Sequence, residues 1–236
     1  CKCDWIQTCA LPICGGLTGS IGSGANSVTI STPVYSKSDT MTLTATASGG
    51  VTLTAVTSGN IVFSAGTATK LAITSVNGGS NPTAGTGFSV VVQAQDVNGN
   101  AANVAASTGV TLSLNTGTGT LSGTLTGTIT AGSSSVTISG VTYTKAESGV
   151  ILTATRTSGD TLAAGNSSAF TVNAGAASQV VFTTQPSAST VAGVAFAQQP
   201  VVKIEDASGN VVTSGADSTV SVALTLTTGT GTLGGT

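Results

Sequence analysis

One pattern occurs twice in the chain, about 110 residues apart, and this internal repeat constrains the fold more than any other feature. The first copy spans residues 87–121, and the second ends at Leu233. Each copy opens near a Phe, alternates apolar and polar residues, reaches an acidic residue, turns at Gly-Asn and continues into TGTGTL. Self-similarity at a fixed period indicates an array of one structural unit.

This repeat divides the 236 residues into segments of different completeness. One complete unit stands between the second half of a preceding unit and the first half of a following one. The predicted segments are a leader at 1–14, a C-terminal half-repeat at 15–66, a complete domain at 67–175 and an N-terminal half-repeat at 176–236. The two half-repeats are either the cut ends of a longer array or a complementary pair that completes one unit by strand exchange.

The leader at 1–14 differs in composition from everything that follows. It contains all four cysteines and the only tryptophan, namely Cys1, Cys3, Cys9, Cys14 and Trp5. The cysteine spacing lacks the paired C-x2-4-C pattern of zinc sites, and the chain has no histidine. The leader also lacks the apolar core and cleavage site of a secretory signal. Because DWIQTCALPI looks like translated sequencing adapter, we expect this segment to lie outside the native fold.

Alternating stretches, separated by turns, run through the complete domain. Phe88, Val90 and Val92 share one face of such a stretch. The stretches Val110–Leu114 and Val150–Ala154 repeat the alternation. Period-two alternation predicts strands with one buried face, and no helical period appears. Short strands at intervals of roughly ten residues predict an all-β class, with tandem immunoglobulin-like β-sandwich repeats.

The two Asp-x-x-Gly-Asn turns are candidates for a ligand site. Asp96–Asn100 (DVNGN) and Asp206–Asn210 (DASGN) place carboxylate and carbonyl oxygens at alternate positions, as a calcium loop does. An EF-hand loop needs further acidic residues and a distal Glu, which neither turn has. Asp and Asn also close their own turns, and Gly99 supplies the positive φ that tight turns need. We therefore favour structural turns, with a weak calcium site as the alternative.

The composition leaves little for catalysis. The chain has no histidine, and its cysteines are confined to the leader. Glu205 and Asp206 are adjacent, so on a strand they point to opposite faces and make no acid–base pair. The eight carboxylates lie mostly in turns or in different repeats: Asp4, Asp39, Asp96, Glu147, Asp160, Glu205, Asp206 and Asp217. We predict a protein that is not an enzyme and has no catalytic, cofactor-binding or metal-binding residues.

Two further sets of residues have a structural and a functional interpretation. Lys70, Glu147 and Asn173 have the chain order of an intramolecular isopeptide bond. Glu147 falls in a predicted turn, however, and we favour a Lys70 that solvates an edge strand. Tyr35 and Tyr143 recur at one repeat position, before a turn and an LTAT strand. A tyrosine that anchors a β-arch through its hydroxyl is the favoured interpretation, and a ligand platform is the alternative.

The charge balance limits the partners. A net charge of −2 provides no electrostatic footprint for nucleic acid. The sequence contains no apolar run of about 18 residues, so no membrane-spanning segment is predicted. We therefore predict neighbouring repeats of the same protein as partners, without nucleic acid, membrane insertion of this segment or a cofactor. A host or matrix glycan or protein is an additional candidate partner.

Residues 181–236 carry a resemblance to a known class of repeats. VFTTQPS, PVVxIxDASGNVV and LTTGTGTLxGT resemble the bacterial immunoglobulin-like repeats of large surface proteins, including invasin- and intimin-type domains. The resemblance covers nearly everything after residue 14 and carries over no catalytic or binding residue.

The resemblance implies a bacterial extracellular or cell-surface protein in which stacked sandwiches hold a binding tip away from the cell. We therefore expect non-catalytic structural spacer or stalk repeats of an adhesin-like protein. The alternatives are an immunoglobulin-like binding module for a glycan or protein ligand, and an accessory domain of a secreted enzyme.

Overall fold

The computed structural model of the chain describes residues 17–50, 52–213 and 216–235. The predicted leader, with its four cysteines and Trp5, lies outside these described residues. The described chain consists of β-strands, turns and two short 3₁₀ segments, and it contains no α-helix. The predicted all-β class is therefore confirmed. Within the same described stretches, no helix is long and apolar enough to cross a membrane.

The chain separates into two compact units, Cys1–Ser64 and Ala65–Thr236. The described residues of the first unit form four two-residue strands, β1 Thr40–Met41, β2 Thr44–Ala45, β3 Val56–Thr57 and β4 Ile61–Val62. β1 pairs with β4 and β2 pairs with β3, both antiparallel. Leu43, Leu53 and other large apolar side chains of this unit are exposed. Its described part is thus a small β-structure without a buried core of its own.

The second unit contains two larger sheets. Their strands are β5 Lys70–Val76, β6 Phe88–Gln95, β7 Thr108–Thr116, β8 Leu121–Gly123, β9 Thr126–Ile129, β10 Ser135–Tyr143, β11 Glu147–Arg156, β12 Gly165–Asn166 and β13 Phe170–Val172. One sheet has the order β5-β6-β10-β8. The other has the order β12-β11-β7-β9, with β13 also paired to β11. All these strand pairs are antiparallel.

The two sheets share one hydrophobic core. Along β6, Phe88, Val90 and Val92 are buried, and the residues between them are partly exposed. They belong to the same buried cluster as Val110 and Leu152 of the second sheet. Each fully buried Val or Leu side chain contributes about 1.5–3 kcal/mol relative to an exposed one. Burial from both sheets into one cluster is consistent with a β-sandwich.

One local prediction was wrong. Glu147, expected in a turn, is the first residue of β11 and pairs with Val172 of β13. The turn is confined to the residues between Tyr143 and Glu147, where β10 ends and β11 begins. The Glu147 carboxylate is held by backbone amides of another loop, which keeps the residue in the sheet.

A hairpin follows the two sheets along the chain. β14 Ala177–Thr184 pairs antiparallel with β15 Val201–Asp206, as β5 pairs with β6. Among the described residues these two strands form a sheet of their own. Val180 of β14 is 52% exposed, whereas Leu71, at the equivalent repeat position of β5, is 2% exposed. The hairpin thus repeats the pairing of β5 with β6 without the second sheet that covers that pair.

Candidate functional site

The Asp96–Asn100 turn follows β6 and is closed by its own acidic side chain. Asp96 Oδ1 accepts hydrogen bonds from Asn98 N and Asn100 N, both at 2.9 Å. Asp96 Oδ2 accepts from Asn100 Nδ2 at 2.9 Å. It also accepts from Gly66 N at 2.9 Å, which ties the turn to the segment that precedes β5. The carboxylate therefore closes an Asx turn and holds one remote amide.

These N–H donors stabilise the charged form of Asp96. The hydrogen bond from the Asn100 side chain is the main cause that lowers the pKa of Asp96 to about 2, and the backbone amides add to it. Burial opposes this shift, because desolvation favours the protonated carboxyl. A calcium site needs oxygens directed at a cation, whereas both Asp96 oxygens face N–H donors. The geometry is that of a structural turn.

The Asp206–Asn210 turn repeats this geometry. Asp206 Oδ1 accepts from Ser208 N at 2.8 Å and from Asn210 N at 2.9 Å. Asp206 Oδ2 accepts from Gly175 N at 2.8 Å and from Asn210 Nδ2 at 2.9 Å. Burial acts to raise the pKa of Asp206, but the hydrogen bonds from Asn210 and Gly175 outweigh it, and the pKa lies below its usual value.

A glycine with positive φ completes each turn. φ is +85° at Gly99 and +80° at Gly209, which confirms the predicted need for positive φ. Gly99 N donates to Asp96 O, and Gly209 N donates to Asp206 O, both at 3.1 Å. Only glycine adopts this left-handed conformation without steric cost, so the Gly-Asn step is a requirement of the turn.

Tyr143 forms a buried corner where β10 ends. Its side chain has no solvent exposure. The hydroxyl donates to Glu147 Oε1 at 2.5 Å and accepts from Gly119 N at 2.8 Å. Burial, reinforced by the hydrogen bond to Glu147, raises the pKa of Tyr143. The structure agrees with the predicted anchoring tyrosine.

Glu147 completes this corner by binding the loop that precedes β8. Its carboxylate accepts from Thr118 N at 2.7 Å, Thr118 Oγ1 at 2.8 Å and Gly119 N at 3.2 Å. Lys145 Nζ lies 3.4 Å from Glu147 Oε2 and also contacts Thr118 Oγ1. The hydrogen bond from Tyr143 is the main cause that lowers the pKa of Glu147 to about 2, and Thr118 adds to it. The corner thus fixes backbone and presents no free acid.

The acidic partner of the tyrosine was missed in the sequence, although a signal was present. Tyr143-Thr-Lys-Ala-Glu147 and Tyr35-Ser-Lys-Ser-Asp39 share the pattern Tyr-x-Lys-x-acid. In the first unit, Tyr35 Oη donates to Asp39 Oδ2 at 3.0 Å, and this bond raises the pKa of Tyr35. A spacing of four residues, repeated with conserved chemistry, could have predicted the pair.

The three residues of the isopeptide hypothesis are not brought together. Lys70 is the first residue of β5, and its ammonium donates to Val97 O at 3.4 Å. Asn173 bridges to Thr83, in the loop beyond the other end of β5. Seven strand residues span about 20 Å, which is far beyond the length of a covalent bond between side chains. This placement removes the geometric basis for the bond.

The other described carboxylates also serve the scaffold or solvent. Asp160 accepts from Ala105 N at 2.6 Å and from Ala106 N at 3.0 Å, which closes the loop before β7. Gln179 Nε2 of β14 donates to Glu205 Oε2 of β15 at 3.4 Å. In the described ranges, no three His, Cys, Asp or Glu side chains cluster as metal ligands would. The Asp4 and Asp217 side chains lie outside the described residues.

Asn210 differs from the rest of its turn because its side chain reaches the preceding domain. Asn210 Oδ1 accepts from Ala146 N at 2.8 Å, and Asn210 Nδ2 donates to Thr144 O at 3.0 Å. An open cleft of about 470 Å³ lies beside this contact, with Lys145 and Asn173 among its lining residues. The sequence placed Asn210 in a turn but did not predict this contact, because a turn residue carries no pattern that reveals a contact 64 residues away.

A scan against protein-family models matches no family, and a search of curated proteins finds no match. Function is therefore inferred from the geometry of the described residues. In that part of the chain, the recurring polar side chains bind backbone amides of turns, corners and a linker. Such groups can hold segments in place, and they provide no reacting pair for a substrate.

Proposed function

We propose that this chain forms non-catalytic spacer repeats, with immunoglobulin-like domains in tandem, of a bacterial extracellular or cell-surface adhesin-like protein. In this role each domain resists tension between its ends. The engagement of Asp96, Glu147 and Asp206 by backbone amides supports a structural role. The resemblance of residues 181–236 to bacterial immunoglobulin-like repeats supports the extracellular setting.

The way in which the last segment of the domain is bonded carries this proposal. Asn173 N donates to Pro82 O, and Asn173 O accepts from Ala84 N, both at 2.8 Å. The bridge between Asn173 and Thr83 is parallel. Tension directed along the Asn173 segment loads these two bonds together in shear, whereas a peeling geometry would break them one at a time.

The start of the domain is held in a similar way. Leu71 N donates to Ala163 O at 2.8 Å, and Ala163 N donates to Thr69 O at 2.9 Å. The bridge between Lys70 and Ala163 is also parallel. Both terminal segments are thus tied to other parts of the same domain before the chain leaves it. This arrangement suits a domain that transmits force along its length.

Single-molecule stretching of the whole chain tests the proposal. We expect a cooperative rupture whose contour-length gain is the extended length of residues 67–175, about 36–39 nm at about 0.33–0.36 nm per residue, less the distance between the ends of the folded domain. Asn173→Pro removes the N–H that binds Pro82 O and should lower the rupture force. Asn173→Ala keeps that N–H and is the matched control. Rupture without measurable resistance, or equal rupture forces for the two variants, would contradict a spacer that resists tension.

Binding assays separate the spacer from the alternative binding module. The whole chain is applied to arrays of glycans and of matrix proteins. For a spacer we expect no saturable binding. Saturable binding that is retained by the Asn173→Pro variant would assign the chain to the binding modules instead.

A further inference from the structure

The linker between the complete domain and the next hairpin is short and is bonded on both sides. It consists of the four residues 173–176, between the end of β13 and the start of β14. Asn173 is bonded to the preceding domain through Pro82 and Ala84. Gly175 is bonded to the following hairpin through the Asp206 carboxylate at 2.8 Å. Little free chain remains between the two attachments.

The turn of the following hairpin lies close to the linker and to the preceding domain. A Cβ built on Gly175 would lie 3.4 Å from Asp206 Cβ and 3.7 Å from Ala84 O. A Cβ built on Gly85 would lie 3.4 Å from Ser208 Oγ. The linker and the Asp206 turn therefore both lie close to the Ala84–Gly85 loop of the preceding domain.

We propose that the Asp206–Asn210 turn is a joint that fixes the following repeat onto the preceding one. Asp206 holds the linker, and Asn210 holds the 144–146 loop of the preceding domain. The partner that this surface fits is thus the preceding repeat of the same chain. The inference rests on the proposed spacer function and specifies how adjacent spacers are held at a set angle.

The hydrogen bonds of the Asn210 side chain fix the position of the turn relative to the 144–146 loop. The side-chain oxygen accepts from Ala146 N, while the side-chain nitrogen donates to Thr144 O and to Asp206. Asn210 is 9% exposed, so water has limited access to replace a lost partner. A buried polar group without its partner is destabilising, and two bonds to one loop restrict both position and rotation.

The two Asp turns share some residues and differ in others. The third turn residue changes from Asn98 in DVNGN to Ser208 in DASGN, and both contribute only their backbone N–H to the carboxylate. The acid and the final Gly-Asn are the same in both turns. Closing the turn involves the acid, the glycine and the asparagine side chain, which donates to the acid in both copies. In the second turn the asparagine side chain also bonds to the 144–146 loop.

Amide hydrogen exchange of the whole chain, resolved by NMR, tests the joint. The Ala146 amide should be protected, because its acceptor is a buried side chain. In Asn210→Ala this amide should exchange at least ~10-fold faster, by local opening, with the core amide of Leu152 unchanged. Asn100→Ala, the same substitution in the earlier turn, is the matched control and should leave Ala146 protection unchanged.

Residual dipolar couplings measure the angle that the joint holds. Amides of β6 and β11 should share one alignment tensor with amides of β14 and β15. In Asn210→Ala the couplings of the hairpin should average toward smaller values, while β14 and β15 amides remain protected. Ala146→Pro removes the donor from the other side of the contact and leaves the turn intact, so it should have the same effect even if Asn210→Ala unfolds the hairpin.

Two results would overturn the joint. One is an unprotected Ala146 amide in the unmodified chain. The other is a single shared tensor that persists in both variants. Either result leaves the rupture force of the domain untouched, so the joint and the spacer function fail independently. A low rupture force with an intact shared tensor would contradict the spacer function alone.

Discussion

The tyrosine corner occurs in both units, in different surroundings. Tyr143 is fully buried, and Gly119 and Thr118 bind its hydroxyl and its partner Glu147. Tyr35 is only partly buried and has an exposed hydrogen bond to Asp39. The described part of the first unit contains no TGTGTL segment before this tyrosine. The corner is thus a two-part structure, in which a local Tyr-acid pair becomes buried only when a remote loop covers it.

The two Asp turns behave differently from the two corners. The Asp96 and Asp206 turns have the same hydrogen bonds and positive φ at the same glycine. All but one of the amides that bind each carboxylate come from the turn itself, and the exception is the glycine just before the first strand of the hairpin, Gly66 or Gly175. A turn that supplies its own donors keeps its geometry in both copies, whereas a corner that needs a distant loop does not.

Removal of the tyrosine hydroxyl should give the largest difference in unfolding free energy between the buried and the exposed corner. Tyr143→Phe takes one donor from the Glu147 carboxylate and one acceptor from Gly119 N, and a hydrogen bond to a charged group contributes about 1.5–3 kcal/mol. We expect the free energy of unfolding of the second unit to fall by about that amount. Urea denaturation followed by circular dichroism measures the change, and exchange of β11 amides assigns it to this unit.

Tyr35→Phe is the paired control for this substitution. Its hydrogen bond to Asp39 is exposed, and substitutions at exposed sites change stability by about 0.5 kcal/mol or less. Equal losses at Tyr35 and Tyr143 would show that the covering loop adds nothing to the corner. The buried Tyr143 corner would then be no more stabilising than the exposed Tyr35 corner.

The difference between local and remote contacts also explains how much the sequence could predict. Alternation along β6 and the Gly99 turn are local patterns, and both were predicted with the correct burial and the correct sign of φ. The repeated Tyr-x-Lys-x-acid spacing could have predicted the Tyr143–Glu147 pair, but not its contact with Thr118, 29 residues away. The contact of Asn210 with Ala146 spans 64 residues and depends on two strand pairings and a linker. Hydrophobic periodicity reports which face is buried, but it does not report which polar groups meet.

Substitution of the glycine in the Asp96 and Asp206 turns should cause an equal loss of stability in both, smaller than the loss expected for Tyr143→Phe. Gly99→Val and Gly209→Val place a β-branched residue at φ of +85° and +80°, which should destabilise each hairpin by about 1 kcal/mol or more. A Cβ at Gly99 would meet only Gln95 Oε1 at 3.9 Å, and one at Gly209 would meet nothing within 4 Å. The cost is therefore backbone strain alone. Hydrogen exchange of the adjacent strands measures it, and strongly unequal losses would show that the turns are not equivalent.

The smallest expected difference lies in the pH dependence of stability. The pKa of Glu147 falls from 4.5 to about 2 on folding, and that of Asp96 from 3.8 to about 2. A lowered pKa contributes stability above the unfolded value, and that stability is lost as the pH falls through the folded value. On the acid side, the second unit should therefore be fully stable at about pH 5 to 7 and lose stability progressively toward about pH 2.

Substitution of the corner acids tests the source of this pH dependence. Glu147→Gln should reduce the slope of unfolding free energy against pH at acid pH, because the amide does not titrate. The slope that remains should come from carboxylates such as Asp96. Asp39→Asn, at the exposed corner of the first unit, is the matched control and should leave the slope of the second unit unchanged. Urea midpoints taken across the acid range give the slope directly. An unchanged slope in Glu147→Gln would mean that the covering loop does not favour the charged carboxylate, and the buried corner would then differ from the exposed one in packing alone.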